Sequence, residues 1–116
     1  MDTIIKYLTV GDLLLQCAEE CNELAQACLK MTRKLEGNNP TPKTMEEITN
    51  DLNEEIADVL LCLGALDEAD ITNNQIIESI IMAKEDRWAK RILEDIRWMI
   101  LIIHSKEQRL LLILMI

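Results

Sequence analysis

The chain has 116 residues and 49% hydrophobic content, which suits a single domain, residues 1–116, with a modest core. Aromatic residues make up only 3% and Phe is absent, so the core must be aliphatic, a composition that favours helices. The net charge of −9 speaks against binding a nucleic acid polymer, and the N-terminus lacks a secretory pattern, which predicts a cytoplasmic protein.

The first strong pattern is an apolar repeat at three- and four-residue steps, which predicts a helix over residues 12–35. Three of the four cysteines fall in this repeat, and no CxxC pair or Cys/His cluster of zinc spacing is present. We therefore expect the cysteines to be reduced and buried. The segment EGNNPTPK at 36–43 contains Gly37 and two prolines, which predicts that the helix ends there in a loop.

Thr44 and Glu47 have the spacing of a capping box, and the apolar stripe after them predicts a second helix over 44–67. Thr72 or Asn73 can cap a third helix that runs to about residue 94. Its predicted buried face consists of Ile76, Ile77, Ile80, Ile81, Ala83, Trp88 and Ile92.

The tail, residues 96–116, allows several interpretations. Two apolar runs, WMILII and LLLILMI, flank the polar insert HSKEQR, and each is far shorter than the roughly 20 residues that span a bilayer. The tail could be a fourth helix, a pair of strands, or a segment buried in an oligomer. We expect a fourth helix or an oligomer contact, and no membrane association.

Two pairs of acidic residues lie at the border of the apolar stripes. Glu20 and Glu23 are three residues apart on the first predicted helix, and Glu55 and Asp58 are three apart on the second, so each pair shares a helix face. Two helices joined by a short loop pack antiparallel most simply. The two pairs would then face each other.

Four converging carboxylates repel one another unless a cation compensates. Oxygen ligands suit Mg²⁺, with Mn²⁺ as the alternative. Either motif alone is more typical of a solvated helix face; their combination on consecutive helices favours the metal site. A di-iron site of the ferritin type needs Glu-x-x-His pairs, whereas the chain has one histidine, His104, in the tail.

The segments LLLQCAEECNELAQACLK, NPTP and NEEIADVLLCLGAL resemble the MazG-like members of the all-alpha nucleoside triphosphate pyrophosphohydrolases over roughly residues 9–93. The resemblance maps the ExxE motif of the family to Glu20 and Glu23, and its ExxD motif to Glu55 and Asp58. It implies an all-α, antiparallel four-helix bundle that forms a homodimer or homotetramer. It also implies Mg²⁺-dependent cleavage of a nucleoside triphosphate to the monophosphate and pyrophosphate.

Other residues can serve such a reaction. Glu19 and Glu54, beside the ligand pairs, are candidates for the catalytic base or for orienting the attacking water. Lys30 and Lys34 continue the Glu23 side of the first helix and can bind phosphate. Lys84 and Arg87 resemble a basic pair of the family, and Gln16, one turn before Glu20, is a candidate contact to the base or sugar.

A non-catalytic alternative is a helical oligomerisation or interaction module that uses the apolar tail as its contact surface. A degenerate family member that keeps the acids but lacks a competent oligomer would give the same sequence pattern. Magnesium binding and the effect of deleting residues 96–116 would distinguish these alternatives.

Overall fold

A computed structural model of the chain describes residues 1–37 and 42–115, without the side chains of 110–112. All regular secondary structure in these residues is helical, which confirms the all-α prediction. The helices are α1 (Asp2–Tyr7), α2 (Val10–Glu36), α3 (Met45–Glu68) and α4 (Asn74–Met115). Half of the predicted loop 36–43, namely residues 38–41, lies outside the described residues.

Local signals set the ends of α2. Thr9 and Asp12 form a capping box in which each side chain accepts a hydrogen bond from the other residue's backbone N–H, at 3.1 and 2.9 Å. At the other end, Gly37 adopts the left-handed conformation with φ of 70°, as its position after the apolar repeat predicts. The sequence prediction found this end but missed the capping box and α1.

The predicted capping box at the start of α3 is confirmed. The Thr44 hydroxyl accepts a hydrogen bond from the Glu47 backbone N–H at 3.2 Å, and the Glu47 carboxylate accepts one from the Thr44 N–H at 3.4 Å. The observed helix, Met45–Glu68, agrees with the predicted 44–67.

Helices α2 and α3 pack antiparallel. Leu13, near the start of α2, is buried against Ala65 and Leu66, near the end of α3. At the opposite end, Ala27 of α2 and Ile48 of α3 line one cavity, and both are buried. This pairing fixes which residues of the two helices face each other.

The chain divides into two compact units, Met1–Asn73 and Asn74–Ile116. The second unit consists of α4, which begins directly after the two predicted capping residues. The predicted end near residue 94, and a separate fourth helix or strand pair after it, are wrong: α4 continues through the polar insert HSKEQR. That insert contains neither Gly nor Pro, so nothing in it ends a helix.

Two predictions of burial are also wrong. The large apolar side chains expected on the buried face of the third helix are exposed in the structure, and Trp88 is 65% exposed. Among the cysteines, which are all free thiols, Cys17 and Cys62 are half-buried whereas Cys21 and Cys28 are exposed. No helix in the described ranges is both long and apolar enough to cross a membrane.

Candidate metal centre and adjoining cavity

Three carboxylates converge between α2 and α3. Glu20, Glu23 and Glu55 each offer one oxygen that lies within 4.8 Å of those of the other two. The first two share a face of α2 because they are three residues apart, and the antiparallel packing brings Glu55 opposite them. Three of the four predicted metal ligands are therefore together.

Two of these carboxylates each have one buried oxygen that accepts no hydrogen bond from the described residues. These oxygens are the Oε2 atoms of Glu20 and Glu55. The other oxygen of Glu20 accepts a hydrogen bond of 2.7 Å from Gln16 Nε2. Buried carboxylate oxygens without partners are costly, and a hard cation with oxygen ligands is the group that fits such a donor set.

Asp58 is half-buried and lies outside the group of three carboxylates. Burial raises the pKa of the Cys62 thiol above its ordinary value, and the nearby Cys17, Glu20 and Asp58 raise it further. Asp58 thus lies near the α2–α3 interface, one turn along α3 from Glu55, on the side of Cys62.

A cavity of about 360 Å³ adjoins the carboxylates. Its lining includes Glu23 and Glu55, and also Lys30, Lys43 and Asp51, which are nearer the α2–α3 connection along the chain. The Lys43 ammonium donates a hydrogen bond to Asp51 Oδ2 at 2.6 Å, and this contact raises the pKa of Lys43 above 10.5. The end of the cavity nearer the connection therefore contains two lysines, one of which is paired with Asp51, and the other end is acidic.

Sequence reasoning missed Lys43 and Asp51 as site residues. Asp51 is four residues before Glu55 and shares its helix edge, and Lys43 directly precedes the capping box of α3. The spacing of Asp51 from Glu55 is visible in the sequence. The position of Lys43 depends on the path of the chain into α3, which helical periodicity does not describe.

The other predicted residues of α2 and α3 lie outside this cluster. Glu19 and Glu54 are exposed, and Lys34 is half-buried and does not line the cavity. Gln16 donates a hydrogen bond to Glu20, and its contact to the base or sugar stays a prediction. A Gln four residues before a Glu is well placed for such a hydrogen bond on a helix.

Lys84 and Arg87, the predicted basic pair, belong to α4. They line a groove on that helix together with Trp88, Lys90, Arg91 and Glu94. Lys90 also pairs with Asp86, one turn before it, at 2.9 Å. The basic pair is thus exposed on the second unit, beside an exposed indole ring.

Comparisons with protein-family models, curated proteins and solved structures found no match to this chain. The MazG-like resemblance therefore stays a prediction.

Proposed function

We propose that this chain is a Mg²⁺-dependent nucleoside triphosphate pyrophosphohydrolase of the MazG-like type. The observation that carries the proposal is the convergence of three carboxylates from two helices, with two buried oxygens that have no hydrogen-bond partner in the described part of the chain. The lysines at the other end of the adjoining cavity support an anionic substrate. A nucleoside or deoxynucleoside triphosphate has both properties that the cavity requires. It binds Mg²⁺, which suits the carboxylate end, and it is negatively charged, which suits the lysine end.

Glu20, Glu23 and Glu55 would hold the metal, and Asp58 is the fourth ligand that the resemblance implies. Bound Mg²⁺ would neutralise phosphate charge and polarise the reacting phosphoryl group; Mn²⁺ could replace it. Gln16 keeps the Glu20 carboxylate in place through its hydrogen bond, which is a positioning role.

The reaction needs one water molecule. The water oxygen forms a bond to the α-phosphorus while the bond from that phosphorus to the bridging oxygen breaks, and pyrophosphate leaves. A carboxylate accepts the water proton. Glu19 and Glu54 are the two candidates for this base, and both are exposed beside the ligand pairs. Lys30 and Lys34 of the first unit are the proposed cations for the phosphates, and Lys84 and Arg87 of α4 are a separate candidate pair for binding an anion.

The test is pyrophosphate release from a panel of NTPs and dNTPs with Mg²⁺. We expect turnover of at least one substrate and a loss of about 100-fold or more in Glu55→Gln, because that change removes a charged metal ligand. Glu68→Gln, an exposed position at the end of α3, should keep wild-type activity. Folded protein that releases no pyrophosphate from any substrate would overturn the proposal.

The exposed side chains of α4 favour a second candidate, a helical interaction module. Among the described side chains of the tail, the exposed large apolar ones are Ile96, Trp98, Met99, Ile100, Leu101, Ile102, Ile103, Ile113, Leu114 and Met115. Such a set is typical of an interface. It also supports the homodimer or homotetramer that the resemblance implies.

Calorimetry and sedimentation distinguish the two candidates. The interaction module predicts no heat of Mg²⁺ binding and a changed oligomeric state after deletion of residues 96–116. The enzyme predicts Mg²⁺ binding that Glu55→Gln removes.

A further inference from the structure

The lysine end of the α2–α3 cavity has a defined position relative to the carboxylates. The Lys43 ammonium contacts Asp51 at 2.6 Å, and Asp51 lies four residues before Glu55 on α3. Four residues correspond to about 6 Å along a helix axis. The ammonium therefore lies about one helical turn from Glu55, on the side of the α2–α3 connection.

Lys30 approaches the same part of the cavity from α2. It lies seven residues after Glu23, and side chains on a helix lean towards its N-terminus, so the stem of Lys30 points back towards Glu23. In the antiparallel pair, the C-terminal half of α2 lies beside the N-terminal half of α3. Both lysines line the cavity from the end that is nearer the connection.

We propose that Lys43 and Lys30 form an anion subsite for the pyrophosphate portion of the substrate, with Asp51 as an internal competitor that holds Lys43 until the phosphates arrive. This inference rests on the proposed function for the metal at the carboxylate end.

The two ends of the cavity select the ligand. Carboxylates repel a bare anion, but accept one that carries a divalent cation, whereas ammonium groups bind phosphate oxygens directly. A phosphate chain that binds Mg²⁺ along its length satisfies both ends. The cavity volume of about 360 Å³ is at the low end of ligand pockets, which are about 300–1,000 Å³. It is therefore large enough for the phosphate chain of a nucleotide.

The ion pair between Lys43 and Asp51 can be exchanged. Both side chains are partly exposed, at 46% and 41%, and exposed ion pairs contribute little to stability. A pyrophosphate group offers several charged oxygens in place of one carboxylate, so it can displace Asp51. Asp51 would keep the ammonium positioned in the empty cavity and weaken binding at the same time.

This competition predicts opposite effects for the two partners. The probe is inorganic pyrophosphate with Mg²⁺, measured by titration calorimetry on the full chain. We expect Lys43→Gln to weaken binding by about tenfold or more, because a charge-assisted hydrogen bond is lost. Asp51→Asn should tighten binding, because it removes a competing carboxylate, and with it a negative charge, from the cavity. Lys43→Arg should keep most of the affinity.

Lys106→Gln is the matched control, since it removes one positive charge from an exposed site on α4 that has no proposed role. It should leave the dissociation constant unchanged. If Lys43→Gln and Asp51→Asn both weaken binding and both lower the unfolding midpoint, the ion pair is structural and the subsite is overturned.

The results separate this inference from the proposed function. If the wild type hydrolyses NTPs, and Lys43→Gln has the same KM and the same affinity for pyrophosphate as the wild type, the subsite is overturned and the enzyme proposal stays intact. Absence of turnover, with pyrophosphate binding that Lys43→Gln weakens and Asp51→Asn tightens, would support the subsite and overturn the proposed reaction.

Discussion

Removing one carboxylate of the group of three should stabilise the metal-free fold. The perturbation is Glu55→Gln, which keeps the shape of the side chain and deletes its charge. Glu55 contributes a buried oxygen that no described residue hydrogen-bonds, and one of its carboxylate oxygens lies within 4.8 Å of those of Glu20 and Glu23. The amide of Gln can also donate a hydrogen bond to a neighbouring carboxylate.

The magnitude follows from the separation of the charges. Two unit charges 4.8 Å apart repel by about 3.5 kcal/mol at an effective dielectric constant of about 20 and by about 0.9 kcal/mol in water. Glu20 is half-buried and Glu23 is exposed, so screening by solvent reduces the interaction with Glu23 most. We therefore expect Glu55→Gln to raise the free energy of unfolding by about 1–3 kcal/mol without metal.

The assay is urea unfolding followed by circular dichroism, in EDTA and in Mg²⁺. In EDTA the midpoint of Glu55→Gln should exceed that of the wild type by about 1 M, and in Mg²⁺ the difference should shrink or reverse. Glu54→Gln, the adjacent exposed position, should shift stability by no more than about 0.5 kcal/mol. A Glu55→Gln protein that is less stable in EDTA, with the same Mg²⁺ response as wild type, would refute the reasoning.

Three further predictions concern stability, each measured by urea unfolding. Thr44→Ala should lower the free energy of unfolding by about 1 kcal/mol because it breaks the capping box of α3. An unchanged midpoint of urea unfolding would contradict that role. Gly37→Ala should lower the free energy of unfolding by about 1 kcal/mol, because Gly37 has φ of 70° and a residue with a Cβ atom is disfavoured in that conformation. Equal stability would show that the turn changes conformation to accept Ala. The pKa of Cys62 is raised above 9.0 by burial and neighbouring groups, so the folded state holds the thiol proton more tightly than the unfolded state. Its contribution to stability is complete below about pH 9 and lost as pH rises through the folded pKa; Cys62→Ala should reduce this alkaline loss, and Cys28→Ala should not.

The sequence predicted those features that depend on neighbouring residues of one helix. The capping box of Thr44 and Glu47 and the turn at Gly37 are local, and the structure contains both. The pairing of Glu20 with Glu23 follows from helical geometry, and one further assumption, antiparallel packing, suffices to place Glu55 opposite them.

Other features depend on information that periodicity does not carry. Helix α1 has six residues, too few for a repeat, and α4 continues where a change of composition suggested a boundary. The position of Asp58 outside the group of three carboxylates depends on the rotation of α3 about its axis. The contact of Lys43 with Asp51 joins residues eight apart, across the start of a helix, where no fixed spacing applies.

The order of contacts along the α2–α3 pair has a kinetic consequence. The two helices are adjacent in sequence, and contacts between near neighbours close quickly because little chain entropy is lost. Closure from the connection outward brings Ala27 and Ile48 together first. The carboxylates meet next, before Leu13 reaches Ala65 and Leu66. Repulsion within the acidic group would therefore slow the pairing of the helices at its midpoint, and a divalent cation would remove this repulsion.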